Sequence, residues 1–182
     1  MRITIPPLSV LGCRIMVLGP TNAGKSTLTA ALAGKLGVPA IHLDRLRHQP
    51  HTHYVPRPDA EFFALHEDAI AQPGWVIDGS YSAVMKNRIA RASGIIVIDE
   101  TLLIRTVRYV RRTLSPHSRI GALDGNKDRL TLEMFRWLWK TRANSADTRA
   151  MAAATGLPTV FAHNAAETAA LYRAWGLTLP SA

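Results

Sequence analysis

Gly19-Pro20-Thr21-Asn22-Ala23-Gly24-Lys25-Ser26 directly follows the apolar run Cys13–Leu18 and precedes Thr27–Leu36, a run of good helix formers. The eight residues fit the pattern GxxxxGK[ST], which forms a P-loop when a strand precedes it and a helix follows it. In such a loop, successive backbone N–H groups turn inward around a phosphate. We therefore expect the stretch from Gly19 to Thr27 to bind the phosphates of ATP or a related nucleotide.

The last residues of this loop carry side chains suited to the phosphates of a nucleotide and to its metal ion. Lys25 supplies a compact cation for the β- and γ-phosphates, and the hydroxyl of Ser26 is suited to ligate Mg²⁺. Thr27 opens a helix whose positive end faces the same anion. ATP and Mg²⁺ are the cofactors that these residues predict.

Five apolar runs bounded by turn signals recur along the chain, with helix-like patterns between most of them. They are Cys13–Leu18, Ala40–Leu43, Trp75–Ile77, Gly94–Ile98 and Pro158–Ala162. Strands that alternate with helices predict a parallel sheet covered on both faces. We expect an α/β fold with a five-stranded parallel sheet, in the three-layer arrangement of P-loop NTPases.

The composition indicates a single packed domain over residues 1–182, since 47% of the residues are hydrophobic and 19% are charged. The lone cysteine, Cys13, excludes an internal disulfide. No apolar run approaches the roughly 18 residues of a membrane-spanning helix, and Met1–Gly12 lacks the pattern of a secretion signal. A cytoplasmic protein without a membrane partner is expected. The sequence does not predict the oligomeric state.

The formal net charge of +9 allows two interpretations, a general affinity for nucleic acid or a local cluster that faces a polyphosphate. Nucleic-acid surfaces usually add aromatic stacking platforms or a groove-reading helix. Here the arginines cluster along one stretch of chain, namely Arg105, Arg108, Arg111, Arg112 and Arg119. This position favours the phosphate-facing cluster and leaves nucleic acid as the alternative partner.

The arginine cluster begins on a predicted helix, Thr101–Leu114, which is basic on one face. The next stretch, Ser115–Asp128, loses periodicity and gains Gly, Pro, Ser and charge, which is typical of a mobile loop. Together they predict a lid over residues 105–128 that closes over the polyphosphate. Arg108 and Arg112 are expected to neutralise the transferring phosphoryl group, and the alternative is a solvated basic helix.

A P-loop needs an acidic partner near the metal, at the carboxyl end of a neighbouring strand. Asp78 ends Trp75-Val76-Ile77, and Asp99 ends the run Ile95–Ile98. Asp commonly terminates strands as a turn residue, which is the alternative role for both. We favour Asp78 as the outer-sphere magnesium partner.

Asp44 closes the short strand Ile41-His42-Leu43 and is followed by Arg45 and Arg47. Ligands bind beyond the carboxyl ends of strands in such sheets. Asp44 is a candidate to orient or deprotonate an acceptor hydroxyl, and Arg45 to hold a substrate phosphate or carboxylate. The alternative is that Asp44 caps a helix and the arginines are solvated.

Most of the chain, roughly Arg14 to Gly176, resembles the adenylate-kinase-related family known as DNA topology modulation protein, FlaR type. The resemblance lies in the P-loop, Ile41-His42-Leu43-Asp44, Trp75-Val76-Ile77-Asp78-Gly79-Ser80-Tyr81 and the arginine run Arg105 to Arg112. It implies a nucleoside monophosphate kinase-like architecture, with an acceptor site to which Asp44, Arg45, Asp78 and Tyr81 are assigned. Asp78-Gly79 is not followed by the Phe-Pro-Arg of true adenylate kinases, which leaves the acceptor open.

The leading hypothesis is an ATP-dependent phosphotransferase that acts on a nucleotide or small-molecule acceptor, with Lys25, Asp44, Arg108 and Arg112 as the catalytic candidates. The second is a nucleotide-dependent protein that binds DNA or modulates its topology, as the family's name implies. The third is an ATPase with no conventional acceptor. The sequence does not name the acceptor, because P-loop kinases act on chemically different substrates with one fold.

Overall fold

A computed structural model gives the fold and describes residues 4–52, 54–114, 121–123, 131–140 and 144–179. The strands are β1 (Arg14–Leu18), β2 (Ala40–His42), β3 (Trp75–Asp78), β4 (Gly94–Ile98) and β5 (Thr159–Ala162). The helices are α1 (Lys25–Leu36), α2 (Leu43–Arg47), α3 (Asp59–Ala71), α4 (Met85–Arg91), α5 (Leu102–Thr113), α6 (Leu132–Lys140), α7 (Asn144–Ala154) and α8 (Ala165–Trp175). Short 3-10 turns lie at Leu8–Leu11 and Ser82–Val84.

The five strands form one sheet in the order β2-β3-β1-β4-β5, and every pairing is parallel. The predicted α/β fold with a parallel five-stranded sheet is confirmed. The P-loop strand, β1, lies at the centre of the sheet between β3 and β4. Its register places Val17 opposite Asp78 on one side and opposite Ile96 on the other.

The apolar strands are explained by burial on both faces of the sheet, as expected for parallel strands covered by helices. One core cluster joins alternate strand residues to the inner faces of α1 and α8, with Ile15, Val17, Leu28, Leu32, Leu171 and Trp175 among its members. The other joins the opposite strand face to α3 and α7, with Met16, Leu18, Phe62, Ile70, Ile77 and Ala152 among its members. The sheet is therefore the middle layer of three.

Local signals set several helix ends. Helix α1 ends where Gly37 adopts a left-handed conformation with φ of 66°, and the side chain of Asn164 caps α8 by accepting a hydrogen bond from the Glu167 N–H. The lid predicted over residues 105–128 begins inside α5, and most of its second half, 115–120 and 124–128, lies outside the described residues. The single-domain assignment stays a prediction.

Among the described residues, no helix combines the length and apolar character needed to cross a membrane.

Candidate active site

The predicted site residues lie along the edge of the sheet where the strands have their carboxyl ends. The P-loop, residues 19–26, follows β1, while β2 ends at His42 and β3 at Asp78. Strand β4 leads into Asp99 and Glu100. Ligands bind beyond this edge in open parallel sheets, at the point where the strand order reverses. Here that point lies beside β1, because its neighbours are β3 and β4.

The P-loop backbone turns through positive φ angles of 138° at Gly19, 66° at Asn22 and 103° at Gly24. Only glycine fits at position 19, because a Cβ there would collide with the carbonyl oxygen of Ile98. Helix α1 begins at Lys25, so its first N–H groups, which have no carbonyl partner within the helix, lie at the loop. These features suit the loop to hold a polyphosphate.

Lys25 and Ser26 start the helix at the mouth of the loop. The Lys25 ammonium donates to the carbonyl oxygen of Pro20 at 2.9 Å, which holds its charge across the loop. A carbonyl held this way can be exchanged for a phosphate oxygen, which is a stronger acceptor. The half-buried Ser26 makes no side-chain hydrogen bond within the described part of the chain. Its hydroxyl is therefore available to a ligand.

Asp78 is buried and held at one oxygen. Its Oδ2 lies 2.9 Å from Nδ1 of His42, and the two residues are direct partners in the parallel β2–β3 register. Its Oδ1 accepts no hydrogen bond from the described residues. The side chain thus presents one free carboxylate oxygen at the edge of the sheet beside the P-loop strand.

The residues present fit a magnesium ion bound together with a nucleotide. Within the described ranges, no group of three or more His, Cys, Asp or Glu side chains could hold a metal ion on its own. Mg²⁺ usually takes only one or two protein oxygens and obtains its other ligands from phosphates and water. A Cβ placed on Gly121 would lie 3.0 Å from the His42 Nδ1 and 3.1 Å from the Ser26 Cβ, so the Ser26 side chain and the ring that holds Asp78 both pack against Gly121.

Asp99 has a different set of contacts. Its Oδ1 accepts hydrogen bonds from the Ser145 hydroxyl at 2.7 Å and the Glu100 N–H at 2.8 Å, and its Oδ2 accepts one from Arg149 at 2.6 Å. Both oxygens are therefore committed to tying α7 to the end of β4. This geometry favours Asp78 over Asp99 as the metal partner.

Glu100 is a buried carboxylate that the sequence did not single out. Its Oε1 accepts the Thr101 N–H at 2.9 Å, whereas Oε2 is buried without a hydrogen bond and lies 3.5 Å from Nη2 of Arg108. The same guanidinium donates through Nη1 to the carbonyl oxygen of Ala23 at 2.9 Å. Glu100 thus holds Arg108 against the P-loop, and its position after the predicted strand was the available signal.

Helix α5 places a second arginine on the same loop. Arg105 is buried and donates from Nε to the carbonyl oxygen of Thr21 at 2.8 Å, and burial lowers the pKa of its guanidinium. Arg111 is exposed, and the side chain of Arg112 lies outside the described set. Arg105 and Arg108 therefore both contact the P-loop, while the lid and the roles of Arg108 and Arg112 in phosphoryl transfer stay predictions.

Two of the predicted acceptor residues, Asp44 and Tyr81, contact each other. The Tyr81 hydroxyl donates to Oδ1 of Asp44 at 2.7 Å. Burial, together with the nearby Asp44 carboxylate, raises the pKa of Tyr81 far above its usual value, so the phenol stays a donor. Asp44 is exposed, and its Oδ2 accepts no hydrogen bond from the described residues. Arg45 donates from Nε to the carbonyl oxygen of Ala122 at 2.8 Å, which ties it to residues 121–123.

Arg88, in α4, is a fully buried cation behind the end of β3, and sequence patterns gave no signal for it. It donates to the carbonyl oxygen of Gly79 at 3.0 Å. Burial lowers its pKa to about 10, and the Asp78 carboxylate opposes that shift. The guanidinium therefore remains charged at neutral pH.

No protein-family model matches the sequence, and no curated protein matches it. The structure is similar to the crystal structure of a gluconokinase from Sinorhizobium meliloti 1021. The two chains are 17% identical, the TM-score is 0.43, and the match covers 78% of this chain and 97% of that chain. At this identity the likeness concerns the fold alone. The resemblance to the FlaR-type family stays a prediction.

Proposed function

We propose that this chain is an ATP-dependent phosphotransferase of the P-loop kinase type that acts on a hydroxyl group of a small molecule or nucleotide. One observation carries the proposal, which is that the P-loop and the segment that bears the acceptor residues both contact residues 121–123. Gly121 lies against Ser26 and His42, and the next residue, Ala122, accepts a hydrogen bond from Arg45, the neighbour of Asp44. Donor and acceptor would thus meet beneath residues 121–123.

The donor half of the proposed site binds the triphosphate. The backbone N–H groups of residues 19–27 and the Lys25 ammonium would contact the phosphate oxygens. The Nη2 atom of Arg108 lies 3.5 Å from Oε2 of Glu100, which holds the guanidinium against the loop. Arg108 would add positive charge where charge develops in the transition state. Arg112, one turn further along α5, is proposed for the same task.

Ser26 and Asp78 would hold Mg²⁺, Ser26 directly and Asp78 through water. The ion supplies charge neutralisation to the β- and γ-phosphate oxygens when it is bound. The Asp78 side chain is suited to this role because one oxygen is held by His42 at 2.9 Å and the other is open.

The acceptor half addresses the hydroxyl group. In the proposed reaction, the acceptor oxygen bonds to the γ-phosphorus, the bond from that phosphorus to the β–γ bridging oxygen breaks, and ADP leaves with the electron pair. The hydroxyl proton passes to the open Oδ2 of Asp44. Tyr81 donates to the other oxygen at 2.7 Å and so fixes the carboxylate for that contact. Arg45 is proposed to help hold the acceptor.

The direction of the arginines on α5 favours a kinase over the DNA-binding alternative. Arg105 and Arg108 donate to P-loop carbonyl oxygens at 2.8 and 2.9 Å, so part of the basic cluster faces the nucleotide site. A protein that neutralises DNA phosphates uses such charge on its outer surface. The open carboxylate of Asp44 favours a kinase over an ATPase, since hydrolysis needs no acceptor site.

A screen of phosphoryl transfer tests the proposal. Purified protein with Mg·ATP is incubated with pools of sugars and polyols, hydroxy acids, nucleosides and nucleoside monophosphates, and product mass is read. We expect ATP consumption to rise with one pool and to give its phosphorylated product. Lys25→Ala should abolish transfer, while Lys35→Ala, an exposed lysine on the same helix, should not.

Two outcomes would overturn the proposal. If the rate of ATP hydrolysis is the same with every pool and unchanged in Asp44→Asn, the protein is an ATPase. Strong DNA binding that weakens steeply with salt, without transfer to any pool, would favour the regulatory alternative.

A further inference from the structure

We propose that His42 is the positioning residue of the metal site, because it fixes the Asp78 carboxylate so that one oxygen is always turned toward the ion. The inference rests on the proposed function and adds to it a residue outside the P-loop, the lid and the acceptor pair.

The contact between the two side chains is built into the sheet. His42 ends β2 and Asp78 ends β3, and the parallel register makes them direct partners. Their side chains are 7% and 8% exposed, and Nδ1 lies 2.9 Å from Oδ2. Because a carboxylate oxygen accepts, Nδ1 carries the hydrogen and donates it. A hydrogen bond to a buried charge is stronger than one in water, because the local dielectric is low.

This hydrogen bond decides which carboxylate oxygen is available. A carboxylate without a partner rotates between two equivalent orientations, whereas Asp78 is held at Oδ2 and leaves Oδ1 without a hydrogen bond from the described residues. Arg88 lies behind the strand but is not within ion-pair distance of Asp78. Among the described residues, His42 is therefore the hydrogen-bond donor that orients this carboxylate.

The His42 ring also lies near Ser26, the other residue proposed for the metal, because both side chains pack against Gly121. The backbone of Gly121 approaches so closely that an added Cβ would be 3.0 Å from the ring and 3.1 Å from the Ser26 Cβ. A purely structural hydrogen bond would influence folding stability, whereas a positioning contact must influence metal affinity.

The test measures metal binding directly. Wild type and His42 variants are saturated with a non-hydrolysable ATP analogue, and Mg²⁺ or Mn²⁺ is titrated by calorimetry. Analogue affinity with EDTA and the melting temperature are measured alongside. We expect His42→Leu to weaken metal binding by about 10-fold or more, the usual range when the partner of a metal-binding group is lost. Metal-free affinity for the analogue should change by less than about twofold, because the P-loop is untouched.

Two amide variants separate positioning from packing. The side-chain amide of His42→Asn can donate from near the position of Nδ1, and that of His42→Gln lies nearer to the position of Nε2. We expect Asn to restore most of the metal affinity and Gln to restore little. If the Leu variant fails to fold, the Asn and Gln pair still decides the question.

The outcomes also distinguish the inference from the function on which it rests. Equal metal affinity in wild type, Asn and Gln variants would overturn the positioning role and leave the phosphotransferase proposal standing. Failure of the wild-type protein to bind metal with the nucleotide analogue would overturn both.

Discussion

Asp78 ends β3 and Asp99 follows β4, the two strands that flank β1, but the two carboxylates differ in their hydrogen bonds. Asp78 keeps one oxygen open, while both oxygens of Asp99 accept hydrogen bonds from Ser145, Arg149 and the Glu100 N–H. At the scale of single residues, the hydrogen-bond partners and not the strand-end position distinguish a carboxylate with an oxygen open to a ligand from one whose oxygens are both occupied.

Exchanging each carboxylate for an amide tests this distinction. Asp78→Asn should lower magnesium-dependent turnover at least about tenfold with little change in melting temperature, because it removes charge that the metal needs. Asp99→Asn should lower stability by about 1–3 kcal/mol, because it leaves Arg149 without its ionised partner. Activity assays and thermal unfolding of both variants provide the comparison. A larger loss of turnover in a fully folded Asp99→Asn would reverse the assignment.

The residues of the site differ in how far the sequence could predict them. The P-loop is a continuous stretch whose residue types and spacing match one motif, so Gly19 to Thr27 could be predicted directly from the sequence. The roles of His42 and Glu100 depend on which strands are neighbours and in which register, and neither follows from local sequence. Once β2 is placed beside β3, the pairing of His42 with Asp78 follows from the register.

Helix α5 differs from a usual amphipathic helix, because it buries an arginine and leaves several apolar side chains exposed. Arg105 is buried against the P-loop, while Leu103, Val107 and Leu114 on the opposite face are 73%, 57% and 71% exposed. With Thr106, Val110 and Arg111, the last two line a shallow cavity of about 600 Å³. Arg105 and Arg108, together with the buried Tyr109, hold this helix in place, so its position depends in part on what the two arginines contact.

Binding of a triphosphate should therefore change the protection of α5 from hydrogen exchange. The arginines now donate to Thr21 and Ala23 carbonyl oxygens, and phosphate oxygens attract them more strongly. Arg108→Ala should slow turnover more than it weakens ATP affinity, because its charge acts on the transition state. The exposed Arg111→Ala is the matched control and should behave like wild type. Unchanged protection over Arg105–Thr113 at saturating nucleotide would contradict the expected response of α5 to the triphosphate.

At the scale of elements, a long periodic sequence pattern was sufficient to predict a helix, and a short or irregular one was not. Helix α1, Lys25–Leu36, includes the predicted run Thr27–Leu36, and α5, Leu102–Thr113, falls within the predicted Thr101–Leu114. Three other helices have only weak sequence signals. Helix α2 spans only five residues, α4 seven, and α7 begins with Asn, Ser, Asp and Thr, which favour caps and turns over helix interiors. Packing of Ala152 in the core helps to stabilise α7.

For the whole molecule, one buried histidine in α3 makes stability depend on pH. His66 is fully buried in α3, and neither ring nitrogen has a hydrogen bond. Burial lowers the pKa of His66, and the nearby charge of Arg88 lowers it further, whereas Glu67 opposes the shift. The folded protein therefore keeps this ring neutral at a pH where the unfolded chain would protonate it.

The sign of the pH dependence follows from that difference. Below the ordinary pKa of about 6.5, the unfolded state binds a proton that the folded state rejects. The free energy of unfolding should fall as pH drops from about 6.5 toward the lowered pKa, by about 1.4 kcal/mol for each unit of the shift. Urea unfolding at several pH values measures this slope. His66→Phe should flatten it, and the exposed His163→Gln should not.

The central position of β1 has a consequence for how the protein is made. The P-loop sequence is complete by residue 26, but β1 pairs with Trp75–Asp78 and with residues 94–97 and makes no pairing with β2. Pairings between distant parts of a chain form late, because long loops must close first. A nascent chain on the ribosome therefore carries the nucleotide-binding motif long before it can fold around a nucleotide. Binding competence should arise only after about residue 100 has left the exit tunnel, when β3 and β4 flank the loop strand.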